Sequence, residues 1–221
     1  MGTNMVGMKL REAAAQAASR IEAMPGAPKI IGCGLCSWKG LNYESMAAHY
    51  KTEHPGCVIP VVLDMKVIGK DCRIIIEPQK TLKEVLQFDL GLTGAKQMCD
   101  RGTCGSCTVI MNGRTVLACN TLAADCEGAE IETVEGIAVN PKWKPLIDAY
   151  CKWDAMQCGY CTPGFLVKSK ALLEKNPHPT VEEINRALSG NICICGTYPR
   201  HAQAVVEASA VVAAVSEGRE Y

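Results

Sequence analysis

The chain has 221 residues, enough for one large domain or two small ones. Its 23 Lys and Arg balance 23 Asp and Glu, which excludes a net field that would draw it to nucleic acid or an anionic membrane. Hydrophobic residues at 48% exclude a disordered chain, and 14 cysteines fall short of a secreted disulfide scaffold, where they reach about 8–10%.

From the N-terminus, residues 1–27 mix apolar and charged side chains (Lys9, Arg11, Glu12, Arg20, Glu22) and hold no unbroken apolar run of the kind a secretory leader needs. No twin-arginine pair or bilayer-length apolar stretch follows. A reducing, cytoplasmic setting is the expectation, and there clustered cysteines serve as metal ligands more often than as disulfides. The alanine-rich residues 8–24 predict a helix ended by Pro25-Gly26-Ala27-Pro28. Next, Cys33-x2-Cys36-x12-His49-x4-His54 has the spacing of a two-Cys, two-His zinc site. A helix over 42–54 would place His49 and His54 on one face and Met46 in its core. Gly40 stands where such modules carry an aromatic, a place for Tyr43 or Leu41. The competing explanation is coincidence in a cysteine-rich chain. A DNA-binding role is disfavoured, because residues 1–57 hold six Lys/Arg against four Glu, too sparse a basic face.

Pro60 opens the next segment. Residues 61–67 and 73–77 read as strands around a turn at Gly69-Lys70-Asp71. Thr81 and Glu84 form a capping box, predicting a helix over 81–89 that ends near Gly91. A long loop follows, then a hairpin of strands 108–111 and 114–118 about Asn112-Gly113, and a last strand over 130–134. This is a mixed, ferredoxin-like β-grasp layout. After Asn140-Pro141 the pattern turns helical, over 143–156, 163–175, 180–189 and 199–216. Thr162 is the expected N-cap before Pro163, and Thr180 with Glu183 forms a second capping box. Val181, Ile184 and Leu188 should face the core. The fold class is therefore α+β: an N-terminal extension (1–58), a ferredoxin-like domain (59–138) and an all-α domain (139–221).

Eight cysteines fall into two sets of four. Cys99-x4-Cys104-x2-Cys107-x11-Cys119 is the run of plant-type [2Fe–2S] ferredoxins, and Gly94, Gly102, Gly105 and Gly113 suit a loop that turns its N–H groups toward sulfur. Cys158-x2-Cys161-x31-Cys193-x-Cys195 is less specific alone and leaves cluster and zinc both open. Cys57, Cys72, Cys126 and Cys151 have no partner pattern and are expected to be buried thiols. His178 and His201 carry no assigned role, and Trp38, Trp143 and Trp153 are expected to pack.

Both spacings, in this order, with the stretches Gln157-Cys-Gly-Tyr-Cys-Thr-Pro-Gly164 and Gly190-Asn-Ile-Cys-Ile-Cys-Gly-Thr197, resemble the iron–sulfur subunit of the xanthine dehydrogenase (molybdenum hydroxylase) family over about residues 60–215. The resemblance implies two [2Fe–2S] clusters, one on Cys99, Cys104, Cys107 and Cys119, the other on Cys158, Cys161, Cys193 and Cys195 within a four-helix bundle. It also implies a large catalytic subunit whose molybdopterin (Mo or W) Gln157 approaches, with Cys195 on the same face. A flavin (FAD) subunit or an external acceptor would take the electrons. The chain would then be the electron-transfer subunit of a heteromeric hydroxylase or dehydrogenase, with no catalytic residue of its own. Any zinc at Cys33, Cys36, His49 and His54 would be structural, fixing the extension for docking to a partner subunit. Three departures stand out: Ile194 where the family carries Arg, Met98 where Gly is common, and the extension itself. The rival readings are a free-standing two-cluster ferredoxin and a zinc-binding interaction module.

Overall fold

The computed structural model describes Ser19 and residues 31–216; the helix expected over 8–24 lies outside them apart from Ser19, which is helical. Residues 31–57 form a small ββα unit: strands β1 (Ile31–Gly32) and β2 (Lys39–Gly40) pair antiparallel ahead of helix α1 (Tyr43–Glu53). Asn42 caps α1 by accepting from the Ser45 N–H at 2.9 Å, and Met46 is buried as its position predicts.

Alternating burial along the next segment builds the main sheet. β3 (Val61–Val67) and β4 (Lys70–Ile76) form a tight hairpin from Val61↔Ile76 to Val67↔Lys70. The turn falls at Ile68 (φ 52) and Gly69 (φ 75), so β4 begins three residues before the expected Arg73. A β-branched residue at positive φ is costly, by about 1–3 kcal/mol, which is why sequence signals pointed one step further along. Thr81 and Glu84 make the expected capping box at α2 (Leu82–Glu84), but the helix then widens into a π-turn over Val85–Asp89 before Gly91 (φ 69). The second hairpin, β5 (Thr108–Met111) and β6 (Arg114–Leu117), turns on Asn112 and Gly113, both at positive φ. β7 (Glu130–Glu132) runs parallel to β3 and antiparallel to β5, giving the order β4-β3-β7-β5-β6.

β7 ends two residues early because the chain turns at Thr133 into α3 (Val134–Val139). That turn buries the Glu135 carboxylate, which accepts from the Gly94 N–H and the Thr133 hydroxyl, both at 2.6 Å. Gly94 is therefore needed for close approach and not for positive φ: a Cβ there would meet Val134 at 2.3 Å. Four further helices follow: α4 (Lys144–Lys152), α5 (Thr162–Lys175), α6 (Val181–Leu188) and α7 (Tyr198–Ser216). Thr162 is the first residue of α5 instead of its cap, and Val181 is exposed whereas Ile184 and Leu188 are buried. Trp143, Tyr150, Phe165 and Val205 centre this second core, which also takes in Ile110 from the sheet. Lys170, almost fully buried on α5, pairs with Glu132 of β7 at 2.7 Å and ties helices to sheet. Among the described residues no helix is long and apolar enough to cross a membrane.

Candidate metal centres

The loop between the π-turn and β5 carries Cys99, Cys104 and Cys107. Asp100 (φ 54), Gly102 (φ 76) and Gly105 (φ 75) curl it, and the Thr103 N–H comes to 3.3 Å from Cys99 Sγ. Hydrogen bonds from Thr103 and Arg101 bring the Cys99 thiol down to about 6. The buried ammonium of Lys83 grips Asp100 at 2.7 Å, and the Gln97 amide donates to its other oxygen at 3.0 Å, so the loop is held from beneath. Cys107 stands just before β5 and Cys119 in the 3-10 turn just after β6. The hairpin register brings them side by side, with the Ala118 N–H donating to Cys107 O at 3.2 Å. Cys104, Cys107 and Cys119 are buried, and burial pushes Cys107 up to about 12. Such a thiol keeps its proton unless a metal replaces it.

The second set lies where two helix pairs meet. Cys158 is exposed before α5, Cys161 is buried at its start, and Cys193 and Cys195 occupy the α6–α7 loop, buried and half-buried. Burial raises Cys161 to about 12, helped by the neighbouring Cys193 and Cys158. Cys193 is driven up by burial too, but hydrogen bonds from the hydroxyl and N–H of Thr197, together with those of Cys161 and Cys195, outweigh this and its thiol lies below the ordinary value. Both quartets thus supply free thiols, mostly shielded from water, with N–H or O–H groups aimed at sulfur. That donor set fits a sulfur-ligated cluster in each place.

A residue with no sequence-level role stands beside this set. His201 is fully buried on α7, stacked on Phe165 at 3.9 Å, and its Nε2 lies 3.0 Å from Thr197 Oγ1. Burial pushes its pKa down to about 4, so the ring is neutral. The available signal was its place four residues after Thr197 at a helix start, which sets the two side chains together. Gln157 is exposed next to Cys158, and Ile194 is 82% exposed between the last two cysteines.

The two cysteine sets share a seam. The Ile192 N–H donates to Cys104 O at 2.9 Å, and the Asn191 side chain donates to Gly105 O at 3.1 Å. Tyr160, between Cys158 and Cys161, donates its hydroxyl to Gln97 O. Glycine permits this closeness: a Cβ on Gly164 would lie 2.4 Å from Gly105 O, and one on Gly105 2.5 Å from Gly190 O.

Elsewhere, Cys33, Cys36, His49 and His54 gather their donor atoms within 4.8 Å of one another. Of the remaining cysteines, Cys72 and Cys126 are buried as expected, whereas Cys57 is exposed and Cys151 half-buried.

Comparison with known proteins agrees with this arrangement. Residues 74–149 match the family described as 2Fe-2S iron-sulfur cluster binding domain, and residues 133–206 match the [2Fe-2S] binding domain family. The nicotinate dehydrogenase small FeS subunit of Eubacterium barkeri is 44% identical over 138 residues, covering 62% of this chain and 88% of that protein. The aldehyde oxidoreductase iron-sulfur-binding subunit PaoA of Escherichia coli is 38% identical over 182 residues, covering 76% and 79%. In the crystal structure of quinoline 2-oxidoreductase from Pseudomonas putida, one chain superposes with a TM-score of 0.67 at 35% identity, covering 73% of this chain and 99% of that one. The spacing of the eight cysteines, the two-core fold and these relatives together make the chain a member of the family of iron–sulfur small subunits of the xanthine dehydrogenase, or molybdenum hydroxylase, oxidoreductases.

Proposed function

We propose that this chain relays single electrons within a heteromeric molybdenum hydroxylase, from a large molybdopterin-bearing subunit to a flavin subunit or an external acceptor. Cys158, Cys161, Cys193 and Cys195 hold the cluster that receives electrons, and Cys99, Cys104, Cys107 and Cys119 hold the one that passes them on. Each cluster, when bound, cycles between two states one electron apart. The observation that carries this reading is the seam: one hydrogen bond, Ile192 N–H to Cys104 O, joins a ligand of the first set to the residue preceding Cys193 of the second. Asn191 and Tyr160 hold the two loops in that register, and burial of five of the eight cysteines keeps water from the path.

The docking side for the large subunit is the one that carries Gln157, Cys158 and Ile194, since Ile194 is an exposed apolar side chain between two ligands of the second quartet and Cys158 is the only exposed cysteine of either quartet. The division of labour follows residues 59–138 and 139–221, in a cytoplasmic hetero-oligomer that contains FAD. The test is isolation of the native complex without oxygen. Two distinct paramagnetic signals after dithionite reduction, acid-labile sulfide in step with iron, and a larger molybdopterin-containing partner are expected. Colourless protein without sulfide would rule the reading out.

A further inference from the structure

We propose that Cys33, Cys36, His49 and His54 bind one zinc ion, and that this ion holds residues 31–57 in shape against the edge of the main sheet. Cys33 Sγ lies 3.4 Å from His54 Nε2, and Cys36 Sγ lies 3.3 Å from His49 Nε2. Ligands on a tetrahedral zinc, at about 2.3 Å for sulfur and about 2.0–2.1 Å for nitrogen, stand about 3.6 Å apart, so these separations suit one central ion. A two-iron cluster would place pairs of ligands on different metals and spread the four atoms beyond the 4.8 Å they occupy. Each sulfur also faces a backbone N–H two residues on, Leu35 at 3.3 Å from Cys33 and Trp38 at 3.5 Å from Cys36, which favours thiolates. Four protein ligands leave no open position, so the site is structural and not catalytic.

The packing shows why a metal is needed. Among the described side chains of this unit only Met46 and Tyr50 are buried, with Trp38, Tyr43, Ile59 and Ile75 packed partly against them. Units below about 40 residues rarely fold on so small a core without a metal or disulfide. Trp38 supplies the aromatic: its ring stacks on His49 at 4.6 Å and fills the space a Gly40 Cβ would need, 2.3 Å away. Tyr43 packs beside it, whereas Leu41 is 82% exposed. Ile75 belongs to β4, the edge strand, so the unit is seated on the sheet.

Total metal analysis of the complex as isolated is expected to give about one zinc per chain beside its iron. Cys36→Ser and His49→Gln should each remove the zinc, leave iron and sulfide unchanged, and open residues 31–57 to protease. Zinc ion alone should restore protection to chelator-treated wild-type protein. Full iron without zinc, zinc retained in both variants, or a mass deficit of two hydrogens from a Cys33–Cys36 disulfide would each overturn the proposal. Iron measured in the same sample separates that failure from failure of the electron-relay reading.

A second inference rests on that relay reading but on different residues. We infer that Thr197, oriented by His201, sets the reduction potential of the cluster held by Cys193. Thr197 Oγ1 lies 3.1 Å from Cys193 Sγ and 3.0 Å from His201 Nε2. A metal-bound sulfur has no proton to give, so Thr197 donates to it and accepts from the His201 Nε2–H. His201 Nδ1 then keeps its lone pair, consistent with its having no hydrogen-bond partner. A hydrogen bond to sulfur stabilises the reduced, more negative state and raises the potential. Thr197→Val should therefore lower the midpoint of this cluster alone, with severalfold less of it reduced at a fixed potential, and Thr197→Ser should restore it. The other cluster is the internal control. Both signals present and no shift in the valine variant would sink this role for Thr197, as a purely structural residue would alter stability without moving the potential.

Discussion

Cys193→Ser is expected to abolish one of the two paramagnetic signals and leave the other at full strength, and Cys107→Ser is expected to do the reverse. Both thiols lie in pockets that exclude water, at 5% and 2% exposure. A serine hydroxyl is far less acidic than a thiol and a poorer match for iron, so in such a pocket it keeps its proton and the cluster is lost. Electron flow through the complex should fall by orders of magnitude in either variant, because the two centres act in series. They should differ in where electrons stop. With Cys193→Ser the ferredoxin-like cluster stays oxidised when substrate is added, whereas with Cys107→Ser the bundle cluster becomes reduced and remains so. Cys57→Ser supplies the control, since that thiol is exposed and remote in the sequence from either set. Survival of both signals in Cys193→Ser would remove Cys193 from the ligand set.

Much of this site was legible because its signals are local. Asn112-Gly113 dictates a type I′ hairpin, and that hairpin alone returns Cys119 to Cys107. The capping boxes at Thr81 and Thr180 placed two helix starts. The zinc-type spacing carried the four N-terminal donors to one point, but not on one helical face as expected: α1 ends at Glu53, and His54 leaves the helix at φ −130 and ψ 55, which turns its ring back to Cys33. What stayed hidden depends on distant partners or on unfavourable local choices. Ile68 accepts a left-handed conformation that its side chain disfavours, and its packing on Gly136 explains why only after folding. His201 looked like any helix histidine until Thr197, Phe165 and Cys193 surrounded it. The seam was invisible for the same reason: Asn191 and Gly105 are 86 residues apart in sequence.

Gly164→Ala puts that seam to the sharpest test, because two effects of opposite sign compete there. Gly164 lies in the first turn of α5 with ordinary helical φ, where alanine is favoured over glycine by up to about 1 kcal/mol in a helix interior. If helix propensity governed the site, the variant would be more stable. Its Cβ, however, would stand 2.4 Å from Gly105 O and 2.7 Å from Asn191 Nδ2. The first of these is backbone, in the loop between Cys104 and Cys107, and cannot swing aside as a flexible side chain would. Overpacking of this kind typically costs about 1–3 kcal/mol, so net destabilisation is expected, with a fall in Tm of several degrees. The loops should part at their closest point, weakening the Ile192-to-Cys104 and Asn191-to-Gly105 bonds. Magnetic coupling between the two reduced clusters should then diminish and electron transfer between them slow, while each cluster is still assembled on its own four cysteines. A variant as stable as the parent, with coupling and transfer rate unchanged, would show that the close approach of Gly105 and Gly164 does not govern passage between the two centres.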